Sequence, residues 1–199
     1  MNKLIDWSER LLIFWLAALF LSSMLHSFNA HPYVLLLAIS ECLPVLLIMI
    51  RRSGSVTREV YPFLLALIGT AAPLLVRPMQ NHADFVPIAV IAGIMTAGVF
   101  INVSAKVALW RSFGLAPANR GVRAGGPYRF IRHPMYLGYF VTQAGFLLAN
   151  PSIANLAIYP LAWTAQLLRI REEEKFLLED DTYRALAQRV RFRLIPGVY

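Results

Sequence analysis

Six long apolar blocks, separated by shorter polar segments, constrain this chain more than any other feature of its sequence. They cover residues 11–28, 33–50, 60–76, 85–109, 134–150 and 152–168. Each block approaches the roughly 20 residues that an α-helix needs to cross the hydrocarbon core of a bilayer. Lipid offers the backbone no hydrogen-bond partners, so spanning segments must be helical. The pattern predicts an all-α, polytopic membrane protein with about six transmembrane helices.

The composition supports a membrane protein and excludes several classes of site. Hydrophobic residues make up 58% of the 199 residues, whereas soluble domains contain roughly 45–50%. In a membrane protein the formal charge of +8 indicates orientation and attraction to anionic lipid, so no nucleic-acid partner is expected. The single cysteine excludes a disulfide framework and a cysteine-based metal site, and we predict no metal. The first block lacks a cleavage signature and is expected to be a retained span.

The basic residues predict the orientation of the spans. They concentrate in residues 1–10, 51–59, 106–133 and 169–193, and after six crossings all these segments lie on one side. Only Arg77 lies on the other side. The positive-inside rule therefore predicts a multi-pass protein with both termini in the cytoplasm, and we expect the bacterial inner membrane.

The link between the fifth and sixth blocks is only Asn150-Pro151-Ser152. It predicts a tight antiparallel hairpin, packed side by side, that brings residue 133 and residues 169–174 to one membrane surface. After the hairpin, residues 171–192 have the pattern of a cytoplasmic amphipathic helix, broken near Asp180 and Asp181. We divide the chain into a four-helix part, 1–110, and a C-terminal functional part, 111–199, within one integrated domain.

Residues 126–138 form a basic, aromatic loop that leads directly into the fifth block. Pro134 suits the first turn of a helix, where backbone N–H groups attract anions. Tyr128 and Tyr136 add flat faces and hydroxyls, which suits a ligand with a carboxylate and an aromatic base. The alternative is that the loop only anchors a helix in the lipid headgroups.

Three acids, Glu172 to Glu174, follow the sixth block. Arg169 and Glu173 are four residues apart and share a helix face. A carboxylate here can bind paired ribose hydroxyls, and Arg169 can bind an anionic group of a substrate. The alternative is a solvated charge cluster at the end of a helix.

Polar residues inside the apolar blocks give further candidates. Glu41 is a functional candidate because acids are rare in spans. We favour a structural role, protonated and hydrogen-bonded, since no other ionisable group is expected at its depth. Lys106 either extends to the interface or faces the path of the substrate, and both readings stay open. Gln143 and Gln166 are expected to form hydrogen bonds between helices.

The motifs resemble a known family. They are Gly126-Pro127-Tyr128, residues 132–138, Asn150-Pro151, Arg169 and residues 173–177. In this order and spacing they are similar to the isoprenylcysteine carboxyl methyltransferase (ICMT) family, which is related to membrane phospholipid N-methyltransferases. The resemblance covers about the C-terminal half, and the tail 189–198 is also similar to the family's ending. The segment Glu179-Asp180-Asp181 and Leu186 depart from the family's pattern.

The resemblance implies S-adenosylmethionine as the methyl donor, bound at the cytoplasmic ends of the helices. It also implies which residues bind this cofactor: Val122, Arg123, Tyr128, His133, Pro134, Met135, Tyr136, Glu173 and Glu174. Arg169 would be the catalytic residue that orients the acceptor.

A carboxylate is already nucleophilic, whereas an amine or a thiol needs a base. The only candidate base is His133, which is assigned to the cofactor. We therefore expect a carboxylate acceptor, either a lipophilic small molecule or a lipid-modified molecule. The alternatives are a phospholipid amine or small thiol methyltransferase, an NADPH-dependent membrane reductase, and a non-catalytic scaffold.

Overall fold

The computed structural model describes residues 3–28, 32–50, 55–56, 60–79, 86–112, 118–119 and 121–198. The helices are α1 (Lys3–Phe28), α2 (Val34–Ile50), α3 (Val60–Ala71), α4 (Ile88–Leu109), α5 (Pro134–Ala149), α6 (Ile153–Leu177) and α7 (Asp181–Arg189). Single 3₁₀ turns cover Ala72–Leu75, Trp110–Ser112 and Gly126–Arg129. Two strands of two residues each, β1 (Ser55–Val56) and β2 (Ala118–Asn119), pair antiparallel. The predicted all-α class is confirmed.

The C-terminal helices begin and end differently from the prediction. Helix α6 begins where the side chain of Ser152 accepts the N–H of Asn155, and it continues to Leu177. The predicted amphipathic helix therefore does not begin at residue 171, since residues 171–177 are the last turns of α6. Its predicted break near Asp180 and Asp181 is confirmed. Helix α6 continues past Pro160, and no proline or glycine lies between residues 161 and 177. The chain turns at Asp180, whose side chain caps α7.

Helix α5 packs most closely on α4. A Cβ atom added to Gly138 of α5 would lie 2.5 Å from the backbone nitrogen of Asn102 in α4, and one added to Gly98 would lie 2.5 Å from that of Thr142. Helix α6 packs mainly on α3, where Gln166 donates a hydrogen bond to the carbonyl of Gly69. Helices α5 and α6 contact each other much less. The predicted side-by-side packing of the hairpin is thus corrected, because the glycine face of α5 selects α4.

The connections alternate between two ends of the helical body. At one end, Asn150 accepts the N–H of Met79 and contacts the hydroxyl of Tyr33, while Asn155 donates to the carbonyl of Arg77. At the other end, β1 and β2 join the α2–α3 and α4–α5 connections. Consecutive membrane crossings require this alternation.

Among the described helices, α4 is long and apolar enough to cross a membrane. Shorter apolar helical segments cover Phe14–Leu25, Val34–Leu43 and Val60–Leu75. The number of six spans therefore stays a prediction. The loop arginines used to predict orientation, Arg51, Arg52, Arg58 and Arg120, lie outside the described residues.

Candidate functional site

The two motif-bearing edges meet where α5 begins and α6 ends. The hydroxyl of Tyr136 donates a hydrogen bond to Oε2 of Glu173 over 2.7 Å. The guanidinium carbon of Arg169 lies 5.5 Å from the centre of the same tyrosine ring. Tyr136 and Arg169 are buried, and Glu173 is half-buried. Three of the predicted site residues, one from α5 and two from α6, therefore share one location.

Glu174 points into a different set of contacts. Its Oε1 accepts from Nε of Arg132 over 2.6 Å and lies 3.2 Å from Nε2 of His133. Its Oε2 accepts from Nε of Arg193 over 2.6 Å and from Nη2 of Arg132 over 3.2 Å. The hydroxyl of Tyr183 also donates to Oε1. A carboxylate offers about four lone-pair sites, so protein side chains saturate Glu174.

This saturation changes the role that the motif suggested for Glu174. It is only 3% exposed, and a ligand hydroxyl would have to displace an existing partner to reach it. Burial raises the pKa of Glu174, but hydrogen bonds from His133, Arg193 and Arg132 outweigh burial and lower the pKa from 4.5 to about 2. The carboxylate is therefore ionised and joins the C-terminal tail to the start of α5.

Backbone pairing fastens the tail to the same place. The N–H of Arg132 donates to the carbonyl of Phe192 over 2.9 Å, and the N–H of His133 donates to that of Arg193 over 2.8 Å. The guanidinium of Arg132 also donates to the carbonyl of Val190. The predicted cofactor residue His133 is thus fixed by its backbone hydrogen bond to Arg193 and by the contact of its ring with Glu174.

The first turn of α5 has less anion-binding capacity than the sequence suggested. The N–H groups of Tyr136 and Leu137 both donate to the carbonyl of His133, over 3.2 and 3.3 Å. Pro134 has no N–H, so Met135 is the first-turn residue whose N–H has no backbone partner outside the helix among the described residues.

Tyr128 lies in the same buried cluster as Tyr136 and Met135. Burial and the charge of Glu173 raise the pKa of the Tyr128 hydroxyl well above its usual value. This phenol therefore stays protonated and can donate a hydrogen bond beside Glu173.

The predicted contacts at residues 122 and 123 lie beside the tail helix. Val122 packs against the buried residues Tyr183, Leu186 and Val190, and Arg123 is exposed. Burial, followed by the charge of Glu174, raises the pKa of Tyr183 above its usual range, so its hydroxyl stays a donor.

Reading the motifs did not identify the partners of Glu174. Arg132 lies in the loop whose alternative role is to anchor a helix in the headgroups. Arg193 lies in the tail 189–198 that resembles the family's ending, and Tyr183 lies in the predicted amphipathic segment 171–192. A signal was present, since a second buried acid beside Glu173 requires cations, and the tail is rich in arginine.

A second polar centre lies between the helices. Nε2 of Gln143 in α5 donates to Oε1 of Glu41 in α2 over 2.8 Å, and Oε1 of Gln143 accepts from Nε1 of Trp163 in α6 over 2.8 Å. These contacts confirm the expected hydrogen bonding of Glu41 and the interhelical role of Gln143. The hydrogen bond from Gln166 to α3 confirms the second glutamine.

Lys106 belongs to this centre. It is fully buried, so the alternative in which it extends to the interface is wrong. Its Nζ donates to the carbonyl of Ser40 over 2.9 Å and lies 4.5 Å from the centre of the Tyr139 ring. Because Ser40 directly precedes Glu41, the expectation that no other ionisable group lies near this acid is also wrong.

The fold and the site together define an all-helical protein in which apolar helices hold a basic, aromatic loop beside two glutamates. Residues 85–179, just under half of the chain, match the model of the Isoprenylcysteine carboxyl methyltransferase (ICMT) family. The match covers α4, α5 and α6 with both motif-bearing edges, so the resemblance is confirmed and supports a membrane-associated methyltransferase. No curated protein matches the chain.

Proposed function

We propose that the protein transfers a methyl group from S-adenosylmethionine to the carboxylate of a lipophilic acceptor at the cytoplasmic face of a membrane. The observation that carries this proposal is the hydrogen bond from Tyr136 to Glu173, with Arg169 against the same ring. It joins both motif-bearing edges inside the region that matches the methyltransferase family.

The side chains at this location fit the cofactor. Glu173 is half-buried and uses Oε2 for Tyr136, so Oε1 is left to accept ribose hydroxyls. The protonated phenol of Tyr128 is a donor, and the tyrosine rings favour a cationic group on their faces. Met135 and the segment 122–123 would supply backbone contacts. When bound, S-adenosylmethionine supplies a methyl group on a sulfonium centre, which is open to nucleophilic attack.

Glu174, His133 and Pro134 have an indirect role in this proposal. Glu174 and the His133 ring bind each other, and Pro134 begins α5. They position the first turn of α5 rather than contact the ribose.

Arg169 would bind the acceptor. A guanidinium presents two parallel donors that match a carboxylate. The acceptor needs no base, which suits a site where His133 is engaged by Glu174. Burial of Arg169 and Tyr136 excludes water, and alignment of two reactants alone can lower a barrier by ~7–11 kcal/mol.

The test uses purified full-length protein, methyl-labelled S-adenosylmethionine and a total lipid extract. We expect a labelled lipid product that releases labelled methanol on treatment with base, because a methyl ester is hydrolysed and a methylated amine or thiol is not. Calorimetric titration with S-adenosylhomocysteine and with NADPH separates the methyltransferase from the reductase alternative. Binding of NADPH without binding of S-adenosylhomocysteine would refute the proposed methyl transfer. A base-stable labelled product would show that the acceptor group is not a carboxylate.

We also propose that the protein crosses a bacterial inner membrane several times, with both termini in the cytoplasm. The alternation of connections and the one-sided basic residues support this topology. In a Cys42→Ser background, a cysteine at Arg77 should react with an impermeant maleimide in intact cells. A cysteine at Val198 should react only after the cells are permeabilised, and the reverse pattern would invert the topology.

A further inference from the structure

Lys106 is a buried cation whose hydrogen-bond partner is neutral. It is 0% exposed, and its Nζ donates to the backbone carbonyl of Ser40. Among the described residues, no ion pair joins it to a carboxylate. An ammonium has three donors, and burial of a charge is unfavourable unless it is paired and hydrogen-bonded. The ammonium therefore has hydrogen-bonding capacity left for another group.

The acid that follows Ser40 in sequence, Glu41, does not use that capacity. Glu41 is held by Gln143, which is held in turn by Trp163. This chain of hydrogen bonds runs across α2, α5 and α6 and draws the carboxylate oxygen Oε1 toward α5. Glu41 thus interacts with Lys106 electrostatically, while Nζ of Lys106 donates its hydrogen bond to the carbonyl of Ser40.

Lys106 and Arg169 lie over the rings of two neighbouring tyrosines of α5. The ammonium is 4.5 Å from the ring centre of Tyr139, and the guanidinium carbon is 5.5 Å from that of Tyr136. These tyrosines are three residues apart on α5, so they are neighbours on one face of the helix. Two buried cations, from α4 and α6, therefore lie against two tyrosines on one face of α5.

Two buried polar atoms near Lys106 also have hydrogen-bonding capacity to spare. Ser40 Oγ and Asn102 Oδ1 have no hydrogen-bond partner among the described residues. Asn102 precedes Lys106 by four residues on α4, and Ser40 is the residue whose carbonyl binds the ammonium. Native proteins pair nearly all buried polar atoms, so such a group of atoms indicates a polar ligand or an ordered water.

We propose that Lys106 and the Ser40 hydroxyl form, with Arg169, the subsite that binds the anionic group of the acceptor. In this site the carboxylate lies between the two cations, each of which packs on a tyrosine ring of α5. Lys106 then determines specificity, because two cations favour a carboxylate and repel a protonated amine. This inference rests on the proposed methyl transfer and names the residue that selects its acceptor class.

The test compares two lipophilic probes that differ only in the headgroup, a farnesyl thioether carboxylate and the matching farnesyl thioether amine. KM is measured for the carboxylate, and the amine is measured as a competitive inhibitor. Lys106→Met should raise the KM for the carboxylate by about tenfold or more, since a charged hydrogen bond is lost. It should bind the amine as well as or better than the wild type, and Lys106→Arg should recover most of the affinity for the carboxylate. Lys175→Met, on an exposed lysine, is the matched control and should behave as the wild type.

Ser40→Ala keeps the test decisive if Lys106→Met does not fold. Removing a buried hydroxyl that has no partner should leave the melting temperature unchanged or raise it, yet it should raise the KM for the carboxylate. Unchanged KM in both Ser40→Ala and Lys106→Met would overturn the inference. Binding of S-adenosylhomocysteine is followed in every variant, because loss of that binding in the wild type would refute the methyltransferase instead.

Discussion

The two polar centres of this protein differ in how completely their groups are paired. Glu174, where α5 begins and α6 ends, receives hydrogen bonds or close contacts from Arg132, Arg193, His133 and Tyr183. Lys106, between the helices, has one hydrogen-bond partner among the described residues, the carbonyl of Ser40. A saturated buried charge holds chain segments together, whereas an unsaturated one is suited to a ligand. The contrast supports an architectural role for the first centre and the proposed recognition role for the second.

The adjacent residues Glu173 and Glu174 differ in the same way, in how completely their carboxylates are paired. Glu173 accepts from one tyrosine and is half-buried, while Glu174 is buried and saturated. Successive residues on an α-helix point about 100° apart, so one carboxylate faces the start of α5 and the other faces the tail. The double-glutamate motif thus combines a proposed cofactor-binding residue, Glu173, with a structural residue, Glu174. Substituting each glutamate separately should distinguish the two roles.

The largest effect is expected from Glu174→Ala. It leaves the buried guanidinium of Arg132 without its carboxylate, and breaking a buried ion pair in this way costs ~3–5 kcal/mol. We expect a lower melting temperature in detergent and faster proteolytic cleavage of the tail after α7. Glu172→Ala, which removes an acid that pairs with the exposed Lys175, is the control and should cost less than about 1 kcal/mol. Equal stability of the two variants would refute the architectural role.

Glu173→Gln should separate binding from stability. The substitution keeps the shape of the side chain but removes its charge, so hydrogen bonds from ribose hydroxyls lose about 1.5–3 kcal/mol of binding free energy. We expect weaker binding of S-adenosylhomocysteine by calorimetry, with a melting temperature close to that of the wild type. Full affinity in this variant would exclude Glu173 from the cofactor site.

A third prediction concerns the contact that holds Lys106 against α5. In Gly138→Ala the new Cβ atom would lie 2.5 Å from the backbone nitrogen of Asn102, and overpacking of this kind costs about 1–3 kcal/mol. We expect lower stability and a higher KM for the acceptor, with normal resistance of the tail to protease. Gly93→Ala, on the same α4 but with nothing within 4 Å of the added atom, is the control. If the tail were released instead, the two centres would not be independent.

The sequence predicts the helices and the meeting of the two motif-bearing edges because both depend on local information. Apolar blocks of spanning length form helices, and a three-residue link forces the ends of α5 and α6 to one side. The partners of each helix depend on shape complementarity between distant segments. Gly98 and Gly138 place α5 on α4, and no local pattern predicts that choice over the adjacent α6.

The separate roles of the two glutamates could not be predicted for a related reason. Both belong to one motif, and their environments differ only after residues 183–193 have folded back on Arg132 and His133. Lys106 was ambiguous because its depth depends on how α2 packs against α4. The part of the site built from motif residues was therefore predictable, and the part built by tail and interhelical packing was not.

The smallest effect is a pH dependence confined to the saturated centre. The folded protein lowers the pKa of Glu174 from 4.5 to about 2. A depressed carboxyl pKa contributes stability that is present above the unfolded value and is lost as the pH falls through the folded value. The difference in melting temperature between the wild type and Glu174→Gln should therefore be constant above pH 4.5 and should shrink between pH 4.5 and about 2. Glu172→Gln should show no such window, and a difference that persists unchanged at the acid limit would mean that packing, not charge, joins the tail to α5.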